Sequence, residues 1–165
     1  MTAGLTFVEL LGWDQETSSF WKSHLSENPH LLELPCSIGG AESVQALVRH
    51  IWGAQLRWAE RLAGLPETPK EAVPDGPLDV LYAVHVRAAA IYRDLLAGPE
   101  ASWDGDYTLH VHWIPGGQVT LSRRKVMGHA LLHSQRHWAQ LATLLRVAGY
   151  PSEFRGDLLF SSSLR

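Results

Sequence analysis

The sequence has a single cysteine in 165 residues, no excess of either charge and no long apolar run. Each shortage removes a class of explanation. Cys36 alone makes neither an internal disulfide nor a Cys-rich metal site, which fits a reducing compartment and leaves any metal to other ligands. Fourteen Lys and Arg against 17 Asp and Glu give a net charge of −3 with no long block of one sign, so neither a nucleic-acid partner held by charge nor a strongly acidic tail is expected. No apolar stretch approaches the roughly 18 residues of a spanning helix. The first basic residue is Lys22, so a secretory n-region is not expected either. These absences point to a cytoplasmic protein with no membrane association. Internal repeats and low-complexity segments are missing too.

With 45% apolar and 19% charged residues, the chain is ordinary globular material, and residues 1–165 are expected to make one domain with a full core. Leu5 to about Leu25 reads as a first helix with an aromatic inward face of Trp13, Thr17, Phe20 and His24, stopped by Asn28-Pro29. A loop through Gly39-Gly40 leads to a second helix, about Glu42 to Ala63, with Ser43 or an earlier polar residue as cap and Gly64 as stop. Four prolines between Pro66 and Pro77 exclude regular structure there, and a third helix follows, about Leu78 to Ala97. From Tyr107 to Leu121 the pattern turns extended around Pro115-Gly116-Gly117, as in a short hairpin. Ser122 then caps a fourth helix reaching Ala148, with Gly149 and Pro151 beyond, and Asp157 to Leu164 reads as a short terminal helix. The fold class is all-α: an antiparallel four-helix bundle with a short extended insertion before the fourth helix.

Nine histidines and seven tryptophans stand out. The inward stripe of the fourth helix reads Val126, Ala130, His133, His137, Leu141, Leu144 and Ala148, placing two imidazoles one turn apart. At i, i+4 spacing both can reach one ion at about 2.0–2.1 Å. His50, on the flank of the second helix's apolar stripe, is a candidate third ligand. His129 extends the row on the fourth helix and His85 faces inward on the third, so periodicity by itself leaves the ligand set open. His110 and His112 alternate in the extended segment and face solvent or a pocket rim; His24 and His30 have no assigned role.

The segment His133-Ser-Gln-Arg-His137-Trp-Ala-Gln140-Leu-Ala-Thr-Leu-Leu-Arg146-Val-Ala-Gly149 resembles the HxxxHxxQ…LLRxxG signature of the DinB and YfiT-like superfamily of bacterial metal-binding four-helix bundles. The segment from His50 through Trp58 and Arg61-Leu62 to Gly64 is similar to that superfamily's HixxAxxxWxxRLxG, and Asp157-Leu-Leu-Phe160 to its closing segment. The resemblance implies a histidine triad of His50, His133 and His137, with Gln140 at a matching position. It also implies a divalent metal cofactor, with zinc and nickel foremost and iron compatible, and bundles that pair as homodimers. Seven Trp and eleven Arg, types enriched at interfaces, agree with a homodimer.

Three neutral imidazoles leave an ion its full charge and an open position, so it can activate a small thiol or a water. The hydrolytic route calls for a carboxylate base, and none occurs from Ser122 to Tyr150, so Asp14 or Glu16 of the first helix would have to supply it. The thiol route needs no such base, and relatives implied by the resemblance include thiol S-transferases and a thiol-dependent isomerase. A metal-dependent transferase acting on a small-molecule substrate with a low-molecular-weight thiol is therefore expected, ahead of a hydrolase or a non-enzymatic metal-binding bundle. Cys36 lies in a loop with no adjacent His base and is not the expected nucleophile. Arg123-Arg124-Lys125 opens the fourth helix, against the helix dipole, and reads as a solvated cluster or an anion site.

Overall fold

The computed structural model describes residues 4–99, 103–110 and 115–164. Helix α1 spans Phe7–Glu27 and starts at a capping box: the Thr6 hydroxyl accepts from the Glu9 N–H, and the Glu9 carboxylate accepts from the Thr6 N–H at 2.7 Å. Helix α2 spans Val44–Ala63; Ser43 caps it by accepting from the Ala46 N–H. It ends at Gly64, whose φ of 68° lies in the left-handed region that glycine enters without steric penalty. Helices α3, Leu78–Leu96, and α4, Arg123–Val147, follow, with Ser122 capping α4 by accepting from the Lys125 N–H. α1 and α2 each pack on both α3 and α4, which puts α1 and α2 at opposite corners of an antiparallel four-helix bundle. Among the described residues no helix is long and apolar enough to cross a membrane.

The extended insertion is an antiparallel hairpin of β1, Asp106–His110, and β2, Gln118–Ser122, with Leu109 opposite Val119. It closes the end of α2, where helical carbonyls lack partners. The Tyr107 hydroxyl donates to the Arg61 carbonyl at 2.8 Å, and Arg123 donates to the Leu62 carbonyl at 2.7 Å while lying over the Trp103 ring. Arg124 pairs with Asp104. Two members of the basic cluster are thus engaged by the protein itself, which counts against the alternative reading of the cluster as an anion site and also takes Arg123 out of the solvated one. His110 is exposed; His112 and Trp113 lie outside the described residues.

Three expectations need correction. The buried face of α1 is Leu11, Asp14, Thr17, Ser18, Trp21 and Leu25, one position round from the aromatic row, so Trp13, Phe20 and His24 are only half-buried. In α4 the expected positions Val126, Ala130, His137 and Leu141 are buried, but His133 and Leu144 are half-buried and Ala148 is exposed, and the buried face extends round to Met127, Leu131, Ser134, Trp138 and Leu145. Large aromatic volume decides both departures, because Trp21 stacks on Trp138 at 5.7 Å and Trp52 meets Trp138 edge-on at 5.7 Å. The expected terminal helix is a single 3-10 turn, Leu158–Phe160. Beyond it, Ser161, Ser162 and Ser163 donate their hydroxyls to Glu16 and hold the tail against α1. Trp21, Trp52, Trp58, Trp103 and Trp138 are buried in the core, so the homodimer expectation loses its tryptophan support.

A polar hub sits in this core and joins all four helices. Asp14 of α1, 1% exposed, accepts from Gln55 of α2 at 2.7 and 2.8 Å. The other end of the Gln55 amide accepts from Nδ1 of His85 on α3 at 2.9 Å, an orientation assigned from the network. Ser134 of α4 lies 2.5 Å from Asp14 Oδ1 and 2.8 Å from the Leu131 carbonyl oxygen. The Ser134 hydroxyl donates to either of these acceptors. Burial favours the neutral form of Asp14, raising its carboxyl to about 7 against the opposing donors Ser134, Gln55 and Gln135.

Candidate metal centre

The packing of α2 against α4 brings His50 to the HxxxH pair. The rings of His133 and His137 lie 4.6 Å apart, and that of His50 lies 5.5 and 5.1 Å from them. One nitrogen from each ring falls within 4.8 Å of the other two. Small ring movements close that spread onto a single ion with bonds of about 2.0–2.1 Å. His50 Nε2 and His133 Nδ1 are buried without a hydrogen-bond partner, a state that buried polar atoms rarely keep unless something outside the polypeptide satisfies them. A histidine-based site able to coordinate a divalent ion is therefore present.

His137 is oriented from within its own helix. Its Nδ1–H donates to Gln140 Oε1 at 2.8 Å, which leaves the lone pair on Nε2, where Arg136 Nη2 donates at 3.3 Å. An outer-sphere acceptor of this kind fixes the tautomer and raises the basicity of the ring. The helix-to-helix bond that Gln140 could otherwise have made is thus replaced by one to a ring three residues earlier. Changing Gln140 to Ala is expected to weaken metal binding about 10- to 100-fold at unchanged stoichiometry, checked by competition with a chromogenic chelator.

Burial pushes the His50 imidazole down to about 4 and that of His133 to about 3, and neighbouring positive groups act in the same sense. His137 is also lowered, by burial first, against the Gln140 bond. All three rings are neutral at pH 7, the protonation state a metal ligand needs.

The connection between α1 and α2 covers the cluster. Gly39, at φ 61°, passes so close that a Cβ there would lie 3.4 Å from His137 Cε1 and 3.6 Å from His50 Nε2. A side chain at this position would be strained by the positive φ and would stand in van der Waals contact with both rings. In sequence Gly39-Gly40 signalled only a loop.

The remaining candidates lie elsewhere. His85 is spent on Gln55, and His129 is exposed, edge-on to Trp58 at 5.1 Å and beside His133. Cys36 is half-buried, its sulfur accepting from the Ile38 N–H. Neither acid of α1 that hydrolysis would require is free: Asp14 is enclosed in the hub and Glu16 is held by the tail serines.

No curated protein matches the chain. The DinB family model matches residues 34–155, a stretch that includes the covering connection, α2, α3, the hairpin and α4 with all three clustered histidines. Fold, cluster and match agree, and the chain belongs to the DinB family.

Proposed function

We propose that the protein is a metal-dependent transferase that uses a small thiol as cosubstrate, with His50, His133 and His137 holding a divalent ion, zinc or nickel in the first place. The observation that carries this reading is a cluster of three neutral imidazole donors that no carboxylate joins among the described residues. When bound, such an ion supplies Lewis acidity that lowers the pKa of a coordinated thiol. His50, His133 and His137 contribute no negative charge to offset the ion. Gln140 keeps the His137 lone pair on Nε2, and Arg136, which donates to that nitrogen, would yield it to the ion and remain beside it as a cation, which favours an anionic sulfur over a neutral ligand. The connection through Gly39 shields the donor atoms from one side.

Cobalt substitution tests the reading. Adding N-acetylcysteine to the cobalt-loaded protein is expected to produce a sulfur-to-metal charge-transfer band in the near ultraviolet, absent from the His137→Ala protein. An unchanged spectrum, with metal-dependent turnover of esters or amides, would replace the transferase by a hydrolase. Neither response would leave a non-enzymatic metal-binding bundle.

A further inference from the structure

Beside the histidine cluster runs an apolar groove of about 650 Å³ that the thiol chemistry does not use. One wall is Leu34 and Ile38 of the connection between α1 and α2; the other is α4, through Ala139, Thr143 and Val147. Its inner end touches the metal centre twice. Gln140 lines the groove and accepts from His137, and Ile38 precedes Gly39, the residue packed over His50 and His137. Arg136, Gln140, Thr143 and Val147 recur at three- and four-residue spacing, so they form one stripe along α4 with the cation at the metal end and apolar surface beyond. Val147, at the far end of this stripe, is 84% exposed.

We propose that this groove is the substrate's binding subsite and that the substrate is a small amphiphile, with an anionic head at Arg136 and the metal centre and an unbranched apolar chain along α4. The proposal rests on the metal-centre reading above and adds the class of substrate. The charge pattern sets the orientation: His50, His133 and His137 are neutral, Arg136 reaches the cluster, and the groove beyond Gln140 presents almost no polar surface. Its length sets the chain. From Gln140 to Val147 is seven residues, about 10 Å of helix, which accommodates roughly eight carbons.

The test is calorimetric titration of the zinc-loaded protein with straight-chain carboxylates from butanoate to decanoate, with elemental analysis and light scattering on the same samples. Affinity is expected to rise about two- to fourfold per added carbon, the increment for burying one methylene, and to level off near octanoate. Octanol, which lacks the charge, is expected to bind at least about tenfold more weakly than octanoate, as a charge-assisted contact would then be missing. Thr143→Trp, which fills the groove from an exposed helical position, and Val147→Glu, which puts a negative charge at its far end, should each lower octanoate affinity about tenfold or more with metal content unchanged. Absence of chain-length dependence, or octanoate binding unaffected by both substitutions, overturns the proposal. So does a dimer that Thr143→Trp converts to monomer while octanoate fails to bind, because the groove would then be an interface between two copies. If the wild-type protein holds no metal yet keeps the chain-length dependence and its loss in both variants, the groove assignment stands and the transferase reading falls.

Discussion

Replacing His133 and His137 together by alanine is expected to reduce bound divalent metal from about one ion per chain to less than about a tenth, read by elemental analysis after dialysis against a stoichiometric zinc buffer. Apparent binding free energies at histidine- and cysteine-rich sites run to about 10–16 kcal/mol, so losing two donors of three lowers affinity by several orders of magnitude. The two rings contribute opposing nitrogens 4.6 Å apart between centroids on one helix, and His50 by itself presents one unpartnered atom. The fold should survive, because His133 is half-buried and His137, though buried, makes its side-chain hydrogen bonds within α4, to Gln140 and Arg136, and none to another helix. A second readout separates metal loss from misfolding. Metal bound only by the native state stabilises it by RT ln(1 + [L]/Kd), about 4 kcal/mol at a thousandfold excess over Kd. A chelator should therefore lower the melting temperature of the wild-type protein and leave that of the double variant unmoved. Full metal retention in the variant would transfer the ligand role to His129, the ring adjoining His133.

Asp14→Ala carries the other large effect, on stability. It removes the acceptor shared by Gln55 and Ser134 in the centre of the bundle and leaves buried donors without partners. At about 1–3 kcal/mol for each orphaned group, together with the cavity, the loss is about 3–5 kcal/mol. That corresponds to roughly 10 °C or more in melting temperature for a domain of this size. Asp14→Asn keeps the volume and isolates the proton. The native pKa of Asp14 lies near 7, above the usual 3.8, so between those values the native state holds a proton that the unfolded chain releases. The stability contributed by neutral Asp14 is fully present below about pH 4 and is lost as the pH rises through 7, at up to about 1.4 kcal/mol per unit. Asn does not titrate. The wild type's advantage over Asp14→Asn should therefore be largest near pH 4–5 and shrink by pH 8, measured from urea midpoints at the two extremes. An advantage that stays constant with pH would mean that Asp14 is ionised throughout. His85 works in the opposite sense and is common to both proteins: burial holds it at about 4, below the usual 6.5, so its contribution is lost as the pH falls from 6.5 toward 4.

Local rules determined the elements. Thr6, Ser43 and Ser122 accept the first free N–H groups of their helices, Gly64 takes the left-handed conformation after α2, and the turn at Pro115-Gly116-Gly117 separates two extended runs. These depend on neighbours in the chain, so the boundaries of the four long helices fell within two residues of those read from pattern. The HxxxH pair belongs to the same class, because i, i+4 spacing on any helix puts two rings on one face. Rotation of each helix about its axis was decided by tertiary packing. Trp21, Trp52 and Trp138 have to interlock, and their volume turns α1 one position away from the row that period counting favours and extends the buried face of α4 round from its expected stripe. Long-range placement was decided there too. Only the packing of α2 on α4 brings His50 to His133 and His137, only the course of the connecting loop lays Gly39 over them, and only the meeting of four helices makes Asp14 a buried hub. Sequence spacing fixes contacts within about four residues, where backbone geometry is rigid. Contacts between residues 41 to 120 positions apart, as from Asp14 to Gln55 and Ser134, depend on how side-chain volumes fill a shared interior, and no local pattern encodes that.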